Sequence, residues 1–405
     1  MAEVCSAHPT SGGPYFWAAM LSDPQDAPLL SWITGWFNLL GQVAVTTGIS
    51  FGCASFISTI STFKTGFEPT PNTQIGVYAA VLVTQGLINT FGVRLLHHLN
   101  NISVWWHAAG TFSVVIAILA KAPTRQSAHF VFSTFLDGTG GWAERASPAY
   151  VAVIGILMGQ YTLTGFDASA HMTEETRNAA MSGSLGIIMA IGVSALLGWY
   201  LILGLLFSIQ DLDRTLDSPT GQPVAQIFID TVGENGAIAL MNVLNNIELE
   251  DDCLAMCMST NLSRGTGGIP GSKFFAYVNM RWRSPIRTGI PIALRVIYRR
   301  KFVKGPFHLG KFSYPVAIAA VLWIAFISIV FILPQVNPVN SETLNYSIVA
   351  VGIVITYSFG FWLLSARRWF TGPVKQIAAE EMGIDVMEPG TAEKFEEMQK
   401  GRNTD

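Results

Sequence analysis

The chain has 405 residues, of which 50% are hydrophobic and 13% charged, and its mean hydropathy is +0.40. Soluble globular proteins carry about 25% charged residues, so this composition is typical of a membrane protein. The formal net charge of −3, without a basic stretch interleaved with aromatic residues, argues against nucleic acid as a partner.

Residues 1–30 are expected to form a cytoplasmic or re-entrant segment. The first 15 residues lack the basic and apolar regions of a cleavable signal peptide, so we expect the first spanning helix to drive insertion. Beyond them, apolar stretches long enough to cross about 30 Å of hydrocarbon recur along the chain. Strand periodicity is absent from the sequence, so we predict an all-α, polytopic transmembrane helix bundle over residues 31–373. Seven spanning helices are predicted, near 31–58, 74–93, 103–120, 149–170, 185–208, 313–333 and 344–365.

The first predicted span, 31–58, carries Asn38 and Gln42 one helical turn apart on one face. The pair either lines a polar pathway for a solute or hydrogen-bonds a neighbouring helix. Both residues are kept as candidate solute-binding residues. The same span contains glycines at positions 35, 41, 48 and 52.

The fourth predicted span, 149–170, runs into a polar stretch while still inside the apolar segment. An intramembrane carboxylate such as Asp167 is costly, so it normally faces a cavity or a partner. Gly165 and its neighbouring hydroxyl residues indicate a helix that unwinds near mid-membrane, where free backbone groups can coordinate a solute. In the alternative interpretation, the glycines are packing residues and Asp167 caps a restarting helix. The candidate solute-binding residues here are Tyr161, Thr162, Thr164, Gly165, Phe166 and Asp167.

The distribution of Lys and Arg orients the bundle. With a cytoplasmic N-terminus, 19 of the 24 Lys and Arg residues fall on the inner side, as the positive-inside rule requires. This orientation needs one more crossing, for which only residues 236–258 remain. Carboxylates between Glu248 and Asp252 interrupt that apolar run, and a charge at the centre of a spanning helix costs about 2.5–3.5 kcal/mol. We therefore expect 236–258 to be a disrupted, poorly crossing helix.

The remaining sequence features point away from catalysis and from cofactors. The cysteines form no CxxC pair and lie at no zinc-ligand spacing from a histidine, so neither a structural disulfide nor a metal is expected. No nucleophile–base set, catalytic carboxylate pair or phosphate-binding GxxxxGK loop is recognisable, so the sequence does not predict an enzyme. Residues 374–405 are charged and poor in aromatic residues, which is typical of a solvated cytoplasmic tail.

A resemblance to a known family rests on seven stretches: SGGPYFWAAML, SWITGWFNLLGQVAVTTGISFGC, NTFGVRLL, QYTLTGFDASAHMTEET, IPGSKFF, GPFHLGKFSYP and RRWFTGPV. They resemble a fungal permease of the amino acid–polyamine–organocation superfamily, in the branch that contains GABA and choline permeases. The resemblance implies a secondary carrier in the plasma or vacuolar membrane that moves an amino acid or a related amine, often with proton coupling. Asp167 and His171 would then be candidates for the coupled proton.

Members of that superfamily have twelve spanning helices built around two inverted repeats, and they bind solute at two broken helices, the first and the sixth. By this resemblance 149–170 corresponds to the sixth helix. Tyr161 then falls at the aromatic gate, Thr162 to Gly165 at the unwound turn, and Asp167 at the acidic position after it.

The resemblance also shows departures. The family's first two helices would precede residue 9, its eighth corresponds to 236–258, and its ninth and most of its tenth would fall between Pro285 and Gly289. An incomplete broken-helix, inverted-repeat fold is therefore expected. Two alternatives stay open: a truncated or mis-spliced chain that does not transport, and a seven-helix receptor whose termini lie on opposite sides of the membrane.

Overall fold

The computed structural model describes most of the chain. The predicted tail, 374–405, and Pro285 lie outside the described residues. The described residues are 1–10, 12–163, 165–171, 173, 176–262, 286–298, 302–368, 370 and 372, with the backbone alone described at 39, 42, 43, 93–97, 100, 171, 248–262 and 286–288.

Within the described residues every regular element is a helix, which confirms the all-α prediction. A short 3-10 turn at Gly310–Phe312 leads into the penultimate helix. The helices, in chain order, are α1 (Ala2–Ala7), α2 (Gly13–Met20), α3 (Ala27–Thr62), α4 (Pro71–Phe91), α5 (Val93–Lys121), α6 (Ala128–Ser133), α7 (Trp142–Arg145), α8 (Pro148–Thr162), α9 (Ala168–His171), α10 (Ala179–Ser208), α11 (Leu212–Leu216), α12 (Pro223–Leu262), α13 (Ile286–Ile297), α14 (Ser313–Val330) and α15 (Ser347–Leu364).

Seven helical stretches among the described residues are long and apolar enough to cross a membrane, which confirms the polytopic bundle. Six of them coincide with predicted spans, in α3, α4, α5, α10, the α14 region and α15. The seventh is Pro223–Ile247 in α12, and the predicted span 149–170 is not among the seven.

The predicted span 149–170 is not one continuous helix. Helix α8 ends at Thr162 after 15 residues, and at about 1.5 Å per residue it is about 22 Å long, short of the roughly 30 Å of hydrocarbon. The backbone reverses its handedness at Gly165 before α9 begins. Helix α8 thus ends at the polar turn where the sequence predicted the span to unwind, and the crossing of the membrane by 149–170 stays a prediction.

A stretch of spanning length overlaps the predicted disrupted helix 236–258 and begins earlier, at Pro223. Its apolar part, Pro223–Ile247, precedes the carboxylates that start at Glu248. The backbone is non-helical at Gly233, where φ is 75°, and is helical again as far as Leu262. The poor crossing of 236–258 stays a prediction. Asp230 and its polar neighbours made the first part resemble a loop in the sequence.

The core of the bundle lies where α12 packs against α3 and α5, while α5 also packs against α10. Phe228, Val114, Ile118 and Met241 are all fully buried at this junction. Burying one such side chain contributes about 1.5–3 kcal/mol in water. Because lipid is itself apolar, close packing rather than hydrophobic burial stabilises the parts of this contact within the bilayer.

The N-terminal segment is built into the protein. Helix α1 packs against α10, and α2 packs against α3 and α13. Trp17 is fully buried and its indole N–H donates to the His8 carbonyl over 2.7 Å. Glu3 of α1 forms a buried ion pair of 2.5 Å with Arg295 of α13. Residues 1–30 therefore tie the ends of three helices together on one face of the bundle.

Candidate functional site

The break near Gly165 lies between two hydrogen-bonded helix ends. At the end of α8, the Leu163 N–H donates to the Gly159 carbonyl over 3.3 Å. Gly165 has φ +84°, in the left-handed region that costs other L-residues about 1–2 kcal/mol. The Ala168 N–H then donates to the Gly165 carbonyl over 2.9 Å and starts the next turn. Thr164 lies outside the described residues.

The side chains on the two sides of the break have different surroundings. Thr162 is exposed, and its hydroxyl donates to the Met158 carbonyl over 3.0 Å within α8. Phe166 packs against the apolar cluster that surrounds Trp17. Asp167 is only 2% exposed. The chain thus passes from an exposed helix end to a buried carboxylate within one turn.

Helix α9 is held in place by two glycines of α10. The Ser169 hydroxyl donates to the Gly183 carbonyl over 3.2 Å. A β-carbon at Gly186 would lie 2.8 Å from the Ser169 β-carbon, so any larger residue there would displace α9. Ala170 is fully buried on the same side. This close packing fixes α9, and with it Asp167, the residue that directly precedes α9.

Tyr161 connects the break to the middle of α3. A β-carbon at Gly48 would lie 2.8 Å from the Tyr161 hydroxyl oxygen, so the phenol reaches the α3 backbone where glycine leaves room for it. The side chain is 51% exposed and is therefore open on its other faces. The aromatic side chain predicted to act as a gate is placed beside the break by this contact.

The other two candidates lie on the N-terminal half of α3. Asn38 is 1% exposed, and the Gln42 side chain lies outside the described part of the chain. Ten helical residues separate Asn38 from Gly48, a rise of about 15 Å. In the predicted topology α3 and α8 cross in opposite directions. Asn38 and Asp167 would therefore both lie on the inner side of the contact between Gly48 and Tyr161.

Two residues near the break were not among the candidates. Gly48 was noted only as one of several glycines in its span, and its long-range contact carries no sequence signal. Gln160 accepts a hydrogen bond of 3.2 Å from the Trp323 indole N–H of α14. In the sequence, Trp323 is typical of an aromatic residue at the membrane interface, and that pattern does not predict its hydrogen bond to Gln160.

The chemistry available at this break is recognition of a charged solute. Unwound backbone N–H groups can bind a carboxylate, unwound carbonyls can bind an ammonium group, and a buried carboxylate complements a cation. Among the described residues no group of three His, Cys, Asp or Glu side chains is placed to hold a metal ion. The His171 side chain lies outside the described residues.

Comparison with known families gives one match that covers most of the chain. The family model described as "Amino acid permease" matches residues 1–290. That range includes α1 to α12, the break at Gly165 and all the candidate residues.

Individual relatives come from plants and fungi. The chain is 36% identical to amino-acid permease BAT1 of Arabidopsis thaliana, covering 93% of this chain and 83% of the relative. It is 38% identical to the BAT1 homolog of Oryza sativa subsp. japonica, covering 93% and 82%. It is 26% identical to amino-acid permease 2 of Neurospora crassa, covering 92% and 76%. The chain is an integral, multi-pass membrane protein and belongs to the amino acid permease family.

Proposed function

We propose that this chain is a secondary carrier that moves an amino acid or a related amine, such as GABA or choline, across the plasma or vacuolar membrane. The single observation that supports the proposal most directly is the break at Gly165 inside an apolar helical region. Family membership supports an amino acid as the solute class, and the GABA and choline branch rests on the sequence resemblance alone. No enzymatic step is part of this proposal.

The proposed solute site combines the two sides of the break with α3. Tyr161 covers the solute, and the backbone around Thr164 and Gly165 binds its charged groups. Asp167 balances a cationic group or carries a coupled proton. Thr162, Phe166, Asn38 and Gln42 complete the proposed lining. Alternating access would then move Tyr161 relative to the α3 backbone at Gly48, because that contact joins two separate spans.

The left-handed turn provides the test. Gly165→Leu should abolish uptake, because a branched side chain at φ +84° is strained by about 1–2 kcal/mol and favours an uninterrupted helix. Gly165→Asn should keep measurable uptake, since asparagine tolerates this conformation better than other residues. A β-carbon at this position meets nothing within 4 Å, so the comparison isolates backbone conformation from steric clash. Uptake of radiolabelled GABA, choline and common amino acids would be measured in cells, with surface abundance quantified for each variant.

If the wild-type chain transports a solute and Gly165→Leu transports it equally well, the proposed mechanism is wrong. Equal loss in the Leu and Asn variants at equal surface abundance would also contradict it. In that case the side chain, and not the turn, would be the cause.

A second candidate is a non-transporting product of the same family. The matched 93% of the 405-residue chain is about 377 residues, yet the alignment with the Arabidopsis relative runs over 434 positions. About 57 aligned positions therefore have no residue in this chain, which approximates a pair of spanning helices at about 20 residues each with their connection. If these positions are contiguous, they could hold the ninth helix and most of the tenth, which the resemblance places between Pro285 and Gly289. Sequencing transcripts across the codons for 245–258 and 287 distinguishes a splicing product from the gene's only reading frame.

A further inference from the structure

One stretch of the sequence carries a large excess of positive charge. Residues 253–341 contain 11 Lys and Arg residues and no Asp or Glu. All of these cations fall between Arg264 and Lys311, and the last of them lies at the start of the apolar span Gly310–Val330. The positive-inside rule predicts a cytoplasmic position for this stretch, where the leaflet is rich in anionic lipids.

Residues 302–313, called the basic strap from here on, are fixed from beneath by α1. The Phe307 N–H donates to the Ser6 hydroxyl over 2.8 Å. The Leu309 N–H donates to a Glu3 carboxylate oxygen over 2.6 Å. Gly305 lies so close to the Ser6 carbonyl group that a β-carbon would not fit. The backbone of the strap thus faces α1, and the side of the strap that faces away from α1 is called its outer side.

The carboxylate beneath the strap is already neutralised. Glu3 is 6% exposed, pairs with Arg295 and accepts a hydrogen bond of 3.0 Å from the Ser313 hydroxyl. Lys304 and Lys311 are exposed on the strap, and neither forms an ion pair with a described residue. Among the described residues, therefore, no carboxylate is paired with either lysine.

The outer side of the strap combines these lysines with exposed apolar side chains. Val303, Leu309 and Phe312 are 73%, 41% and 72% exposed. Lys304 and Lys311 alternate with them along the chain, and the strap ends where a spanning helix begins. A surface that offers cations at headgroup level and apolar side chains just below fits a phospholipid better than a soluble anion.

We infer that the basic strap binds anionic phospholipid, with Lys304 and Lys311 at the headgroups and Leu309 and Phe312 at the acyl boundary. This inference does not depend on the transported solute or on whether the chain transports at all. Lipid binding there would hold the strap, and through Glu3 and Ser6 it would hold α1 against the cytoplasmic end of α14.

Native mass spectrometry of the purified full-length protein tests the inference by measuring the apparent Kd for a short-chain phosphatidylserine. One lysine near an anionic surface is worth about a fivefold change in affinity, so Lys304→Gln and Lys311→Gln should each weaken binding about fivefold and the double variant about 25-fold. Lys121→Gln is the matched control, because Lys121 is also an exposed lysine but lies at the opposite end of a span, in α5.

The expected pattern is tight binding of phosphatidylserine, weaker binding of phosphatidylcholine, loss in the double variant and no change in Lys121→Gln. Equal affinity for the two lipids, or an unchanged double variant, would overturn the inference. Competition by millimolar inorganic phosphate as effective as that of the lipid would identify a free anion site instead. Carbodiimide crosslinks from the strap lysines to carboxylates of the 374–405 tail, formed in phosphatidylserine vesicles, would show that the tail occupies this surface.

Discussion

Gly48 is the residue whose substitution tests the position of Tyr161 most directly. Gly48→Ala places a β-carbon 2.8 Å from the Tyr161 hydroxyl oxygen, so the phenol must move away from α3. If Tyr161 covers the solute, we expect the KM for uptake to rise about tenfold, equivalent to about 1.4 kcal/mol. Alanine is the better helix former, so the thermal unfolding midpoint should not fall.

Two further variants separate this effect from a general one. Gly86→Ala is the control within a spanning helix, because a β-carbon there meets nothing within 4 Å. Tyr161→Phe removes the clashing oxygen and leaves the ring carbon Cζ at 3.7 Å, an ordinary contact. The Gly48→Ala effect should therefore vanish in a Tyr161→Phe background. An effect of the same size in both backgrounds would show that the phenol contact is not its cause.

At the residue scale, the sequence predicted a break in the helix at Gly165, but it did not predict which residues contact one another there. Gly165 and Asp167 stand out because a glycine and a carboxylate interrupt an apolar run, and the backbone does turn left-handed at Gly165. Their roles in solute binding remain predictions. The contact between Gly48 and Tyr161 joins residues more than a hundred positions apart, so no local pattern could indicate it.

At the element scale, the pair of Glu3 and Arg295 joins α1 to α13 and allows a stability test. Burial lowers the pKa of Arg295, while the adjacent Glu3 carboxylate opposes that effect. Arg295→Met leaves Glu3 buried without its cation, so we expect a loss of about 3–5 kcal/mol in unfolding free energy. The double variant Glu3→Gln, Arg295→Met should regain most of that loss. Chemical or thermal unfolding of the purified protein measures both.

The chain provides a matched pair for comparison. Arg214 and Asp230 form a second ion pair at 3.5 Å, but Arg214 is 61% exposed. Asp230 is 8% exposed, but it also accepts a hydrogen bond from the Gln226 amide, and its cation is solvated. We therefore expect Arg214→Met to cost less than Arg295→Met. If Arg295→Met destabilises the protein no more than Arg214→Met, then α1 is not held by its buried carboxylate.

Helix type was predictable at this scale, and helix bounds were not. Apolar runs of spanning length identified six of the seven stretches, because the bilayer requires hydrocarbon-length helices whatever their tertiary contacts. The start of α12 was missed because Asp230 and Glu234 resemble loop residues, whereas in the structure Phe228 of the same turn is buried against α5. Tertiary packing stabilises the start of α12, and a local sequence pattern does not contain that information.

For the whole molecule, the broken segment α8–α9 determines the parity of the crossings. Seven stretches of the described residues are long and apolar enough to cross, and an odd number of crossings would put the termini on opposite sides. Helix α8 alone is about 22 Å long, so the turn at Gly165 and α9 would have to complete an eighth crossing of about 30 Å of hydrocarbon. We predict that they do, because an even number of crossings would place residues 1–30 and the tail on the same side, as the distribution of positive charges requires.

Single cysteines on the two sides of the segment decide whether it crosses. Glu144 in α7 and Arg177 after α9 are both exposed, so Glu144→Cys and Arg177→Cys should fold normally. We expect a membrane-impermeant maleimide to label Glu144→Cys in intact cells, and Arg177→Cys only after permeabilisation. The native Cys5 and Cys53 are buried, and labelling would be assigned by peptide mass. Labelling of both introduced cysteines in intact cells would place the segment on one side of the membrane. Because the proposed solute site needs its broken backbone inside the bilayer, that outcome would remove the carrier mechanism together with the eighth crossing.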